Sequence, residues 1–441
     1  MCARSVANYV LVSGTRASRR APLGDSFVVR PMARGGRSPF GTEEKTLSEN
    51  TVLGENTVLG ENTAAAPEKP TATDKVRALL PEISARAKEI EQARAVPRDL
   101  AEKLRAAGVF RRYVPRSHGG DELWPDEGLT VIEEIARVDA SVAWVAAVGS
   151  EGPSFYAYLP SETYDEIYSK GPDVLHAGVI NPTGRAVREG DGYRFSGRWS
   201  FASGSNNADY ITIHGVVEGT GGDGKPSETR LGVVPASQVR IDDVWNVSGL
   251  KGTASNDIVV DNLYVPGEWT GSPAELPKVP RHPLDQRPIF ARFGLELAAV
   301  AIGIAQGALD DITDIARNKV PAMSPSKLAA DPVAQYQVGA LATDLHMARM
   351  LVHDVARADQ ASVTGGPVES NSALHRRARM ARAAAVAASV VEGCYSLSGA
   401  TGLFETCPLQ RRLRDVHGAT QHYLLSVRGS YGPVGAKLLA E

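Results

Sequence analysis

His417 and His422 lie five residues apart near the C-terminal end, in the stretch RDVHGATQH that opens on Arg414 and Asp415. An imidazole can hydrogen-bond to a reactant oxygen and supply a proton as a bond to that oxygen breaks. On a helix, residues five apart do not share a face, so at most one of the pair serves a given site. Without paired acids that spacing is also poor for a metal, and none is expected. A second cluster is Trp199-Ser200-Phe201-Ala202-Ser203-Gly204, where aromatics precede a hydroxyl and a glycine. Apolar walls with a few polar groups at the rim suit a planar ring. Read as packing alone, Trp199 and Phe201 are core and Ser203 caps a turn. Glycines in His118-Gly119-Gly120 and in Gly249-x-x-Gly252-Thr253 let backbone approach a neighbour or a ligand, although each is also an ordinary turn. In VAAVGSEGPSFYAY, Glu151 offers a carboxylate to an amine or hydroxyl, and Phe155 offers an aromatic wall.

The pattern around these residues divides the chain. Residues 1–73 read as a disordered leader and linker. The first 40 hold seven arginines and one acid, a composition also found in organelle transit peptides, and TVLGEN occurs twice in succession at 51–62. Residues 74–172 read as helical, with apolar faces over 74–95 and 126–147 and a helix opened by Pro97 and closed by Gly108. Residues 173–270 change period to short β-branched and aromatic runs split by Gly, Asn and Asp, predicting an antiparallel barrel or sandwich. A Pro-rich crossing, 271–288, leads to a C-terminal bundle of four helices over 289–441. A net charge of -3 gives no reason to expect nucleic acid or an acidic membrane surface as partner. Three cysteines without CxxC spacing fit a reducing cytoplasm. No apolar run approaches the ~20 residues of a spanning helix.

Four blocks, in order, carry a resemblance. They are VPRSHGGDELWPDEGLTVIEEIARVDASVAW, GRWSFASGSNNADYITI, GLKGTASNDIVVDNLYVP and SLSGATGLFETCPLQRRLRDVHGATQH. Together they resemble the acyl-CoA dehydrogenase superfamily from about residue 74 onward. The resemblance implies an α+β multidomain fold: an N-terminal helical domain, a middle β-domain and a C-terminal four-helix bundle. It also implies that Ser203 hydrogen-bonds the isoalloxazine edge of a flavin and that Trp199 packs beside it. Gly249, Gly252 and Thr253, with Gly399 and Gly402 of the last block, would complete the cofactor contacts.

Two departures separate the chemistries this fold hosts. A dehydrogenase needs a carboxylate to remove the proton alpha to a thioester, and in that branch a glutamate usually follows the Arg-Asp pair. Here no glutamate lies between Glu405 and Glu441. Glu296, on the first bundle helix one turn from Phe293, is the one residue that could replace it. The Arg-x-x-Phe-Gly segment that holds FAD pyrophosphate is also missing; the chain reads ARNKVPAMSPSKLAADP there. The RDVHGATQH stretch instead resembles the flavin monooxygenase branch, which includes phenol hydroxylases, a dibenzothiophene oxygenase and amino-sugar N-oxygenases. That resemblance implies the oxygenase component of a two-component system. It would use O2 and reduced FMN, or FADH2, from a separate flavin reductase, with His422 stabilising a C4a-hydroperoxide. Its substrate would be a small aromatic, polyketide-like or amino compound, with Glu151 and Phe155 as candidate contacts. Two alternatives stand: an acyl-CoA dehydrogenase with tightly bound FAD, and a non-catalytic assembly subunit. The apolar face over 295–308 and the family association predict a homotetramer.

Overall fold

A computed structural model describes residues 71–440, apart from 223–226, 276, 278, 279, 287–289 and 366–372. The leader reading therefore lies outside the described residues except at its end. Thr71 already caps the first helix: its side chain accepts from the Asp74 amide, while Asp74 reaches back to the Thr71 amide. Such a reciprocal cap satisfies two of the donors a helix start leaves over. Helix α1 (Ala72–Ala85) so begins two residues before the apolar pattern does.

The helix expected over 74–95 divides at Arg86 into α1 and α2 (Ala87–Ala93). Helix α3 (Arg98–Ala107) ends on Gly108 at φ +88°, the left-handed closure its sequence foretold. The helix expected over 126–147 is two. Asp139 interrupts α4 (Pro125–Val138) with extended backbone and opens α5 (Ala140–Gly149), its carboxylate accepting from the Ser141 and Val142 amides. An aspartate satisfies orphan amides better as a cap than within a helix. Every residue of α5 is buried. Short helices α6 (Gly152–Tyr156) and α7 (Ser161–Tyr168) lead to the sheet.

The strands are β1 (His176–Gly178), β2 (Gly184–Glu189), β3 (Gly192–Ala202), β4 (Tyr210–Val217), β5 (Thr229–Pro235), β6 (Arg240–Asp242), β7 (Asn256–Val265) and β8 (Thr270–Gly271). They order as β6-β7-β3-β2-β4-β5-β8, with β1 on β4. The sheet is mixed rather than antiparallel, because β4 runs parallel to both β1 and β2. Between β3 and β4 the chain turns through a short 3-10 segment, 205–207, and returns along β2 instead of β3. Strand β3 slips register against β7 between Trp199 and Ala202, and there Phe201 takes φ +70°. That bulge breaks the in-out alternation of the strand.

The bundle is α8 (Phe290–Asn318), α9 (Pro332–Val363), α10 (Ala373–Ser398), α11 (Pro408–Thr420) and α12 (Val427–Ala440). The fourth expected helix is thus two, parted by the turn that carries His422. The 295–308 face expected to need another subunit is covered within the chain, in one core with α4, α5, α10 and α11. Exposed apolar side chains lie instead on α9, at Tyr336, Met347 and Met350. α8 and α10 are each long and apolar enough to cross a membrane, contrary to the sequence expectation. The apolar stretch of α8 is 83% buried in the fold, which makes it a core helix.

Candidate flavin site

The bulge in β3 decides which aromatic faces outward. Trp199 is sealed in the sheet core, and its indole Nε1 donates to the His214 carbonyl at 2.7 Å. It does not reach the site expected of it. Phe201, two residues on and past the slip, stands 70% exposed with its ring edge-on to Trp245, centroids 6.0 Å apart. A non-glycine residue at positive φ carries strain of roughly 1–3 kcal/mol, a cost often met at functional sites.

Ser203 follows, nearly buried. Its hydroxyl accepts from the indole Nε1 of Trp144 at 3.1 Å and lies 2.7 Å from the Ser255 hydroxyl. Ser255 lies 2.7 Å from the Thr253 hydroxyl, which donates to the Leu250 carbonyl at 2.9 Å. Trp144 belongs to α5, so the Asp139 cap fixes the helix that presents its indole to Ser203. Across from it, the His422 ring meets Trp144 at 5.9 Å and Phe293 at 5.6 Å, both edge-on. Ser203, Trp144, His422 and Phe293 are therefore brought together from the sheet, the N-terminal helices and both ends of the bundle.

Burial drives the His422 imidazole down to about 4, with nearby Arg377 adding to the effect. The ring is neutral at pH 7. Its Nδ1 accepts the Leu424 amide at 3.3 Å, which assigns the ring proton to Nε2. His417 faces the other way, with its Nε2 3.1 Å from Glu392 on an exposed surface.

The second loop is locked by close approach. A side chain at Gly249 would collide with the Arg414 backbone carbonyl, and one at Gly252 with Ile90 and Ser141. The Leu250 amide donates to Asp415 at 2.7 Å, and the Gly252 amide to Ser141 at 3.1 Å. Burial raises the Asp415 carboxyl to about 6, and the acid Asp139 pushes the same way. In this chain Gly249 and Gly252 thus let backbone meet helix, while Thr253 anchors the hydroxyl chain. Gly399 and Gly402 lie in the 3-10 turn after α10, where Lys319 donates to the Ser398 carbonyl. Among the described residues no contact joins them to the Ser203 cluster.

Glu151 is not available to an amine. It is buried against Arg292, Nε to Oε1 3.1 Å, and accepts from Ser154 at 3.0 Å. Burial raises its carboxyl, and Arg292 opposes that rise. Phe155 stacks on His176, centroids 4.6 Å apart. Glu296, the one residue that could serve a dehydrogenase as base, is fully buried; Arg112 holds it at 2.9 Å and the Tyr113 hydroxyl donates to it. It is a paired charge, not a free base.

These groups fit a flavin ring. An exposed aromatic stands beside a buried, hydrogen-bonded hydroxyl, and Ser205 Oγ, two residues on, is buried without a partner among the described residues. Trp144 and Ser255 escaped the sequence reading, and Phe201 was named in the candidate cluster while the flank was given to Trp199. Their signals were the Asp-Ala-Ser cap inside ASVAW's block, and a strand whose two aromatics stand an even number of residues apart. That parity places both on one face unless a bulge intervenes.

Comparison with known proteins bears on the same regions. The acyl-CoA dehydrogenase N-terminal domain model matches residues 67–158, and the C-terminal domain model matches 295–427. An indole-3-acetate monooxygenase from Pseudomonas putida is 35% identical over 339 residues, 77% of this chain and 86% of the relative. The oxygenase component of an FADH2-dependent resorcinol hydroxylase from a Rhizobium species is 30% identical over 353 residues, 76% of this chain and 86% of the relative. The crystal structure of a 3-HSA hydroxylase from Rhodococcus sp. RHA1 superposes with a TM-score of 0.77 at 27% identity, covering 85% of this chain and 98% of that one.

Proposed function

The chain belongs to the acyl-CoA dehydrogenase superfamily, in its flavin-dependent monooxygenase branch, and from that premise we propose roles for its residues and a class of substrate. It is the oxygenase component of a two-component system and takes reduced flavin, FMN or FADH2, from a separate reductase. Bound reduced flavin supplies the electrons that activate O2, one oxygen atom going to substrate and the other to water.

In our reading Phe201 walls the ring and Ser203 meets its edge. His422 donates its Nε2 proton in a hydrogen bond on the oxygen-reacting side. Because the ring is neutral, it acts as a hydrogen-bond donor and not as a strong acid. Trp144, Phe293 and the sealed α5 helix keep water from that side, and a reactive oxygen species in a wet site decays without product. The observation that carries this reading is the buried contact of Ser203, Trp144 and His422 beside the exposed Phe201 ring. The substrate is a small aromatic compound. The names of the indole-3-acetate and resorcinol relatives support that class, and the buried Glu151–Arg292 pair speaks against an amine held by Glu151. Equilibrium dialysis tests the flavin's role. Reduced FMN should bind more tightly than oxidised FMN, and equally tight retention of oxidised FAD would contradict it.

We also propose a homotetramer in the cytoplasm. Tyr336 and Met347 on α9, both exposed, are eleven residues apart, about three helical turns, and so share a face with Met350 close by. That apolar face supports association. The free, buried Cys394 and Cys407 suit a reducing compartment.

A further inference from the structure

Five side chains from three segments, the turn after α3, the turn after α5 and α8, make a buried charge cluster beside the site. Glu296 pairs with Arg112, and Tyr113 donates to it; Glu151 pairs with Arg292. The two arginines and two glutamates balance. Within this cluster Arg292 is the member left incomplete. Its Nε and one terminal nitrogen, Nη2, serve Glu151 and Ser154, and its guanidinium lies 4.1 Å from the centroid of the Tyr113 ring. Its other terminal nitrogen, Nη1, makes no hydrogen bond among the described residues and is not sealed from solvent. A guanidinium offers five donors in a fixed fork, and the two on Nη1 have no protein partner at a site 93% enclosed.

The position of Arg292 says what would complete it. It precedes Phe293, the ring that meets His422. Its partner Glu151 lies seven residues beyond Trp144 along α5 and the turn after it. Glu151 stands past the end of α5 at Gly149, as the N-cap of α6.

We propose that Arg292 is a specificity-determining residue that receives the carboxylate of an aromatic acid through Nη1, while the ring of that acid lies toward Trp144 and His422. This inference rests on the oxygenase reading and adds the acidic arm to it. Glu151 then acts as a positioning residue: it holds the guanidinium and partly offsets its charge.

The test uses the full-length protein with FMN and an independent reductase, and three probes: indole-3-acetate, indole-3-acetamide and tryptamine. Calorimetry measures binding, and mass spectrometry measures product gaining one oxygen. The wild type should bind the acetate best. In Arg292→Gln the affinity for the acetate should fall about 10- to 100-fold, the loss expected for one charged hydrogen bond, with little change for the amide. Arg292→Lys should recover part of it. Since Arg292→Gln alone strands a buried carboxylate, the Glu151→Gln/Arg292→Gln double variant, which removes both charges, should show the same selective loss. Glu151→Gln alone should tighten the acetate. Equal binding of acetate and amide by the wild type would overturn the proposal. So would tryptamine as the preferred ligand, lost in Glu151→Gln, because Glu151 would then be the recogniser. Arg292-dependent acetate binding without any oxygenated product would instead overturn the oxygenase reading and leave Arg292 as the carboxylate receptor.

Discussion

Burial holds the His422 imidazole neutral over the range in which such an enzyme is assayed, with its one proton on Nε2. Its contribution is then a single hydrogen bond in a dry place, worth roughly 1.5–3 kcal/mol or about one to two powers of ten in a rate. In His422→Ala, flavin should still bind, and hydrogen peroxide released per product formed should rise about 10- to 100-fold by amperometry. Ser203→Ala should uncouple in the same way. The double variant should be less than additive, because both side chains contact Trp144 and serve one reaction. His417→Ala, on the outer face with Glu392, should keep wild-type coupling. The same shift carries a stability sign. The unfolded chain protonates His422 near 6.5 and the folded chain only near 4, so stability from this group is lost as pH falls between those values. Urea melts of His422→Gln should show a shallower acid decline than wild type over that window. The two histidines stood out by residue type and spacing, while the roles of His422 and Ser203 came from the family resemblance. Trp199 was misplaced because nothing in the sequence marks the slip in β3 that turns Phe201 outward instead.

At the scale of elements, the contact between the 249–253 loop and α11 ties the two halves of the site together. One face of the loop anchors the hydroxyl chain that ends at Ser203, and the other donates the Leu250 amide to Asp415 on the helix leading to His422. Asp415 titrates near 6 when folded and near 3.8 otherwise. The folded state keeps its proton longer, so stability from this group is greatest at low pH and is lost as pH rises from about 4 to about 6. The span is roughly 3 kcal/mol. Asparagine can still accept from the Leu250 amide but cannot ionise. Asp415→Asn should therefore gain stability relative to wild type across that window and hold the gain above it, as read by denaturant midpoints at pH 4, 6 and 8. A variant losing ground above pH 6 would show that the ionised carboxylate is itself stabilising. Periodicity located most helices, yet it ran three pairs together, one of them across the turn that carries His422. At Asp139 a capping side chain ends one helix and begins the next without any loss of apolar pattern, and at Arg86 the kink occurs within an unbroken amphipathic run. The parallel pairing of β4 with β2 was not readable from alternation, which reports faces and not direction.

For the whole molecule, the α, β, α-bundle order was visible because the hydrophobic period changes twice along the chain. The outer surface was not. The 295–308 stretch looked like an interface and is core, because α4 and α10 close over it, while the apolar residues that share the exposed face of α9 stand apart in sequence, separated by polar and buried ones. What the assembled architecture is for rests on one reaction. The purified protein should be supplied with reduced FMN from an unrelated reductase, an aromatic acid and 18O2, and the product weighed. The account predicts a product heavier by one 18O atom, formed only while reduced flavin is supplied. A protein that retains FAD through purification and desaturates an acyl-CoA without taking up oxygen would contradict it.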